Sequence, residues 1–182
     1  MSEPKNHNMP SELAVTDDVL LRMITKENVS DLTPEINKHI NLNPDIRSTL
    51  HFNKMFITKD DIKEFFTSNE NNSLYEYALI KDESLIGLIG LKQEIGSALG
   101  TEISLGYSLD PKFRRRGLVS SSLDALIEEA TLSLRPDYFT LYISDSNERS
   151  QSVAKRNNFL KTEGFFETAS GVRERLYVRK NV

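Results

Sequence analysis

The sequence predicts a mixed α/β fold in which a β-sheet is flanked by helices. Two observations support this prediction. Short β-rich runs separated by turn residues recur along the chain and are typical of antiparallel hairpins. One long run of apolar residues at helical spacing, Val119 to Leu134, lies between the strand candidates 102–109 and 138–143. The strand–loop–helix–strand unit over residues 102–143 is therefore the best-defined part of the predicted fold.

The N-terminal segment differs from the rest of the chain. Residues 1–18 are polar, contain two prolines and have no sustained periodicity, so we expect a flexible leader. A short apolar run at 19–24 is typical of a first strand. We therefore expect a single folded domain over residues 19–182.

The region after the first strand candidate is the least regular. Residues 27–50 are interrupted by Pro34 and Pro44, which indicates short helices joined by an irregular link. Thr58 to Asp61 resembles a capping box, and apolar residues at helical spacing follow it. A short helix over about 59–68 is predicted there.

The remaining elements alternate between strands and helices. The long helix ends at Arg135-Pro136, and a weaker helix is predicted over 147–157. The strand candidates after the short helix are 74–80, 85–92, 102–109, 138–143, 159–166 and 172–178.

Composition excludes several classes of function. The chain has 182 residues, 38% hydrophobic and 27% charged, as expected of one globular domain. No apolar run approaches the roughly 20 residues that span a bilayer, and no signal segment follows Met1, so we expect a cytoplasmic protein without a membrane partner. The absence of cysteine excludes disulfides and a cysteine nucleophile, and three scattered histidines give no metal site. A net charge of −4 disfavours nucleic acid as a partner.

A basic loop, Phe-Arg-Arg-Arg-Gly-Leu-Val-Ser at 113–120, leads directly into the long helix. The first N–H groups of a helix have no intrahelical partners and carry positive potential, so this arrangement favours phosphate binding. Gly117 permits close approach or a positive φ, and the three arginines add charged donors. The alternative is a solvated arginine cluster beside a turn glycine. The loop lacks both the Gly-Lys-Ser/Thr of a nucleotide triphosphatase and the spaced glycines of a Rossmann site.

Two segments together resemble the GNAT acetyltransferase superfamily, especially its branch of ribosomal-protein and other protein N-terminal acetyltransferases. Gly106–Val119 resembles that branch's fourth strand and its Q/R-x-x-G-x-G/A pyrophosphate loop, with Arg114 and Gly117 in register. Asn147–Phe159 is similar to the family's N-x-x-S-x-x-V-A-x-x-x-G-F segment at unchanged spacing. The resemblance implies a mostly antiparallel sheet of about six or seven strands, with acetyl-CoA in a cleft beside the fourth strand.

Three positions depart from the family pattern. Val119 replaces a small residue at the end of the loop, and Arg115 stands where glycine is frequent. Asn158 replaces the glycine before Phe159, which is a mild change because asparagine tolerates the left-handed conformation.

The resemblance implies transfer of an acetyl group from acetyl-CoA to a primary amine, either a protein N-terminal α-amine or a small amine. The strand near Leu109 would pair with the pantetheine arm, and backbone N–H groups of the loop would hold the pyrophosphate. The implied cofactor-binding residues are Leu109, Arg114, Arg115, Arg116, Gly117, Leu118, Val119, Ser120 and Asn147.

The resemblance also suggests catalytic residues. Many relatives have a tyrosine acid where this chain has Ala154, which leaves Ser150 as the leading proton donor to the departing sulfur. Glu102 is the candidate general base, because strand alternation places it on the same face as Ser104 and Gly106. The simpler alternatives are that Ser150 is a first-turn helix residue and that Glu102 is a solvated carboxylate.

Two other functions remain open at this point. A non-catalytic CoA-binding regulator would retain the loop without the catalytic pair, and nucleic-acid binding would use the arginine cluster alone. The regions 27–55 and 165–173, expected to line the acceptor groove, carry no readable code. The sequence is compatible with a monomer or a homodimer.

Overall fold

The structure is a computed structural model, and it describes residues 9–42, 58–67, 74–97, 100–168 and 171–181. These ranges contain one sheet of eight strands in the order β1-β2-β3-β4-β5-β6-β8-β7. The strands are β1 Glu12–Thr16, β2 Val19–Met23, β3 Leu74–Lys81, β4 Ser84–Ser97, β5 Gly100–Leu109, β6 Tyr138–Ser144, β7 Leu160–Glu167 and β8 Arg173–Lys180.

The helices in the same ranges lie on both faces of the sheet. They are α1 Val29–Leu42, α2 Lys59–Thr67, α3 Leu118–Ser133 and α4 Glu148–Arg156, with a 3₁₀ turn at Pro111–Phe113. No helix in the described part of the chain is both long enough and apolar enough to cross a membrane.

The sheet splits between β5 and β6. All other neighbouring strands are antiparallel, but β5 and β6 are parallel and pair only from Glu102 opposite Tyr138 to Ser104 opposite Thr140. Beyond these pairs β5 continues to Leu109 and β6 to Ser144 without a ladder between them. An opening through the sheet therefore lies between residues 105–109 and 141–144.

Side-chain alternation gives the sheet two apolar faces. On the α3 face, Leu123 and Leu126 pack with Leu105 of β5 in the larger core cluster. On the α1 face, Ile36 and Ile62 form a second cluster with strand residues such as Leu88. Full burial of each such side chain contributes about 1.5–3 kcal/mol, so both helical layers are held to the sheet by apolar contact.

The expectation that all residues up to 18 lie outside the fold was wrong for Glu12–Thr16. This segment forms β1 and pairs antiparallel with β2, and its Leu13 and Val15 pack against the core. The alternation of Leu13 and Val15 with polar residues is a strand signal, but over only five residues it is weak.

The expectation that Pro34 interrupts the first helix was also wrong. α1 runs through Pro34, which is exposed. Proline removes the N–H that would bond the Ser30 carbonyl, but Ser30 is exposed, so water can replace that bond. Pro44, the second predicted break, lies outside the described residues.

Two local predictions were confirmed. At the start of α2, Asp61 N donates to Thr58 Oγ1 at 3.1 Å and Thr58 N donates to Asp61 Oδ2 at 2.9 Å, which is a reciprocal capping box. Asn158, after α4, has φ +62°, the left-handed conformation expected of the residue that replaces glycine.

Candidate active site

The loop between β5 and α3 has an unusual backbone. Asp110 caps the 3₁₀ turn by accepting from Lys112 N at 2.9 Å. Arg115 and Gly117 then adopt left-handed conformations with φ +63° and +77°. Successive turns of this kind point backbone N–H groups to one side and form an anion-binding concavity.

The start of α3 carries polar groups without internal partners. Gly117 is the N-cap and supplies no side-chain cap, and Ser121 N to Gly117 O, 3.0 Å, is the first intrahelical bond. The N–H groups of Leu118, Val119 and Ser120 precede that bond. Ser120 Oγ is buried and has no hydrogen-bond partner among the described residues. A phosphate group would accept from the exposed N–H groups, so this helix start fits the pyrophosphate of acetyl-CoA.

The three arginines have different roles in the loop. Arg114 Nε donates to the Leu109 carbonyl at 3.2 Å, and Arg116 Nη2 donates to the Lys112 carbonyl at 3.4 Å. Arg115 is exposed. Two arginines therefore hold the loop backbone in place, while the charge of all three contributes to the positive potential at the helix start.

The start of α4 lies across the opening from β5. Asn147 caps this helix, with Oδ1 accepting from Ser150 N at 3.1 Å. The Tyr107 hydroxyl of β5 reaches the Ser150 carbonyl at 3.5 Å, at the long end of the hydrogen-bonding range. Burial raises the pKa of Tyr107 to about 12, so the hydroxyl remains a neutral donor. Tyr107 and Ser150 thus mark the level at which the two sides of the opening approach each other.

Glu102 lies at the paired end of β5. Its Oε1 accepts from Thr140 Oγ1 of β6 at 2.7 Å, and Thr140 is buried. Five residues along a strand separate Glu102 from Tyr107, which is roughly 17 Å. The structure brings Ser150, Asn147 and the α3 loop to the opening, and it places Glu102 at the closed end. The catalytic roles of Ser150 and Glu102 stay predictions.

His39 was not among the site residues predicted from the sequence. Its Nε2 lies 3.1 Å from Ser108 Oγ, and both side chains are buried between α1 and β5. Burial lowers the pKa of His39 to about 4, with Asp110 acting in the opposite direction and Arg114 lowering it further. A neutral His39 therefore links α1 to the strand that precedes the anion-binding loop.

Glu76, in the middle of β3, was not predicted from the sequence either. It is the one charged residue in the interior of this strand, and that interruption is the signal that could have identified it. Glu76 lies opposite Gly90 of β4, which lies opposite Gly106 of β5. Burial raises the pKa of its carboxyl to about 8.

Comparisons with known proteins agree with this architecture. A family model described as "Acetyltransferase (GNAT) domain" matches residues 18–160. The chain is 24% identical over 156 residues to the ribosomal-protein-serine acetyltransferase of Escherichia coli (strain K12), covering 84% of each chain.

Solved structures share the fold at low sequence identity. RimL, a ribosomal L7/L12 alpha-N-protein acetyltransferase in complex with coenzyme A, matches with a TM-score of 0.77 and 18% identity, over 93% of this chain and 97% of RimL. The microcin C7 self-immunity acetyltransferase MccE, in complex with acetyl-CoA and AMP, matches with a TM-score of 0.75 and 20% identity, over 96% and 99%.

The split sheet, the helix-start anion site and the match to the family model define an acyltransferase that uses acetyl-CoA. The chain belongs to the GNAT acetyltransferase family. The predicted mixed sheet with flanking helices is confirmed, with β1 as an additional strand.

Proposed function

We propose that this chain transfers the acetyl group of acetyl-CoA to the α-amine at the N-terminus of a protein. The observation that carries the proposal is the set of unpartnered donors at the start of α3, beside an opening that runs through the sheet. Such donors fit a pyrophosphate, and the opening leaves one edge of β5 available to an extended ligand arm.

The cofactor would be held mainly by backbone groups. The N–H groups from Arg115 to Ser120 would bind the pyrophosphate, and Arg114 and Arg116 would hold the loop in shape. The pantetheine arm would follow β5 towards Leu109. Asn147 would face the same arm with its amide –NH₂ group, since its carbonyl oxygen is used by the helix cap.

Ser150 would donate a hydrogen bond to the departing sulfur. Its backbone N–H and carbonyl are engaged by Asn147 and Tyr107, which fixes the position of the first turn of α4. A thiol of pKa about 8.5 is a good leaving group, so a hydrogen bond rather than full protonation is sufficient. Glu102 was the sequence candidate for the base, and its contact with Thr140 at the closed end makes it a less favourable choice.

Two observations support a protein N-terminus as the acceptor: the names of the relatives and an exposed aromatic pair beside the opening. The Escherichia coli relative is named for a ribosomal-protein serine and RimL for an alpha-N-protein substrate. Beside the opening, on the α1 face, Tyr142 and Phe166 form an edge-to-face pair and are 41% and 55% exposed. An exposed aromatic pair offers a peptide a surface that a small amine does not need. A ribosomal acceptor would also place the reaction in the cytoplasm.

Replacing Gly117 with valine tests the cofactor site. Gly117 has φ +77°, and a β-branched residue there would turn the loop N–H groups away from a phosphate. We expect acetyl-CoA to bind at least tenfold more weakly, a loss of about 1.4 kcal/mol, in calorimetry.

Gly171→Val is the matched control. Gly171 also has a positive φ and open space around its Cβ position, but it lies at the turn before β8. The control should bind acetyl-CoA like the wild type. Equal affinity of the Gly117 variant and the wild type would contradict the cofactor site. Failure of the wild type to release CoA with any serine- or alanine-initiated peptide would contradict the proposed reaction.

A further inference from the structure

On the α1 face of the sheet, the Glu76 carboxylate lies directly above the backbone of β4. A Cβ atom added to Gly90 would overlap the Glu76 carboxylate, so the side chain extends from β3 across β4. This position depends on the missing side chain of Gly90. Only glycine at position 90 lets the Glu76 carboxylate approach β5.

Glu76 extends towards Gly106 of β5, above which the described residues leave open space. Gly106 lies in the same row of the sheet, and a Cβ atom added there would find no heavy atom within 4 Å among the described residues. Because neighbouring strands are about 4.8 Å apart, the carboxylate above Gly90 lies roughly 5 Å from the Gly106 backbone. The two glycines thus form a shallow depression with Glu76 as its wall.

This depression lies at the level of the opening in the sheet. Gly106 and Tyr107 are consecutive, and they direct their substituent positions to opposite faces. Tyr107 reaches Ser150 on the α3 face, where the cofactor would lie, while Gly106 opens towards the α1 face. An acceptor that enters from the α1 face would therefore meet the thioester beside Glu76.

The Glu76 carboxylate has no hydrogen bond or ion pair with the residues that the structure describes, although the backbone carbonyl of Glu76 accepts from Ile24 N at 2.7 Å. The side chain is partly exposed, but protein atoms surround the carboxylate closely enough to raise its pKa to about 8. The ionisable side chains on the same face of the elements around it include Arg22, Lys92 and His39. Arg22 is bonded to Glu12, and His39 to Ser108. Burial is thus the cause of the raised pKa.

We propose that Glu76 is the general base that receives the proton lost by the acceptor amine. This inference rests on the proposed acetyl transfer and names the residue that serves its acceptor side. Within the described ranges the carboxylate has no partner and faces an open depression, and it lies level with the position at which the two substrates would meet.

The transfer can be written with its protons balanced. The lone pair of a neutral primary amine forms the C–N bond at the thioester carbonyl carbon, and the carbonyl electrons move to the oxygen. The nitrogen, now positively charged, gives one proton to Glu76. The oxyanion then restores the C=O bond and the C–S bond breaks. The thiolate takes a proton from water through the Ser150 hydroxyl, and Glu76 returns its proton to water.

The acceptor amine must be neutral to attack, so its own pKa bears on its class. A protein α-amine with a pKa of about 7.7–8.0 becomes neutral in the pH range in which Glu76 becomes ionised. A lysine amine with a pKa of about 10.4 is almost entirely protonated in that range. An α-amine therefore supplies far more of the neutral, attacking form than a lysine side chain does at neutral pH.

The test compares Glu76→Gln with the wild type in acetyl transfer to one N-terminal peptide between pH 6.5 and 9.5. Because both proteins are compared at the same pH, the ionisation of the acceptor amine affects both rates equally. At low pH Glu76 is protonated and cannot act as a base, so the two proteins should differ little. As pH rises through about 8 the wild type should become progressively faster, reaching a ratio of about 10²-fold in kcat at pH 9.5.

Controls separate this role from a structural one. Glutamine retains the shape of Glu76 and breaks no observed bond, so acetyl-CoA affinity and the melting temperature should be retained. Glu83→Gln, in the exposed turn of the same hairpin, should match the wild type at every pH.

Four outcomes would overturn the proposal. A ratio that is constant with pH, or a Glu76→Gln enzyme as fast as the wild type at pH 9.5, would exclude Glu76 as the base. The same pH-dependent loss in Glu102→Gln instead would assign the base to Glu102. Absence of acetyl transfer by the wild type would overturn the proposed function as well, and would be recognised before any variant is compared.

Discussion

At the scale of single residues, the hydroxyl of Ser150 is the group that we expect to assist the leaving sulfur. Ser150→Ala removes this donor but leaves the backbone contacts to Asn147 and Tyr107 in place. Because a thiolate leaves readily, we expect kcat to fall only about tenfold, with unchanged affinity for acetyl-CoA. Steady-state kinetics and calorimetry measure the two quantities separately.

Ser152→Ala provides the comparison within the same helix. The Ser152 hydroxyl is exposed and donates to the Glu148 carbonyl at 2.9 Å, so it faces α4 itself. We expect this variant to retain wild-type kcat. An equal loss in both variants would indicate a weakened helix rather than a lost donor, and no loss in Ser150→Ala would exclude the proposed role.

The two glutamates illustrate what a sequence can predict about a site. Alternation along one strand places Glu102 on the same face as Gly106, and the structure agrees with that geometry. The neighbour of Gly106 across the sheet is instead set by the pairing of β3, β4 and β5. That pairing joins Glu76, Gly90 and Gly106 across some thirty positions of sequence. No local pattern encodes it, so Glu76 was found only in the structure.

At the scale of secondary-structure elements, His39 couples α1 to β5. The pKa of His39 is lowered to about 4, whereas an unfolded histidine titrates near 6.5. Between these values the unfolded chain binds more protons than the folded one, so the free energy of unfolding decreases as pH falls from about 6.5 to 4. The contribution of His39 to that decrease is on the order of 3 kcal/mol.

His39→Gln should remove this part of the acid sensitivity, since glutamine does not titrate. Urea denaturation at several pH values measures the free energy of unfolding. The free-energy difference between wild type and variant should shift in favour of the variant as pH falls through this window. Ser108→Ala is the control, because it removes the partner at 3.1 Å but retains the histidine, and should keep the acid slope. A His39→Gln slope equal to that of the wild type would contradict the assignment.

Elements were predictable where their signals were local and repeated. The long helix was expected from Val119 to Leu134 and observed as α3, Leu118–Ser133, because its apolar positions recur over four turns. β1 was missed because a five-residue edge strand has too few positions to reveal a period. The helix break expected at Pro34 was not observed, because the tertiary packing of Ile36 and Ile40 outweighs the local cost of the proline.

At the scale of the whole molecule, the sheet separates two helical layers, and the split between β5 and β6 connects the two sides. α3 and α4 cover the face where the anion-binding loop lies, while α1 covers the face that carries Glu76. On the second face α1 leaves Gly106 exposed, so a cofactor bound on the first face does not occupy the acceptor side. Both substrates can therefore be bound at the same time.

This arrangement predicts direct transfer within a ternary complex. The chain has no cysteine, and an amine next to the thioester needs no intermediate carrier. We expect initial rates with both substrates varied to give intersecting double-reciprocal lines. Parallel lines, with an acetyl group retained on the protein when acetyl-CoA is supplied without acceptor, would instead indicate a covalent acetyl-enzyme. Ser108 beside the neutral His39 would then be the first position to examine for the label, and mass spectrometry of the incubated protein would locate it.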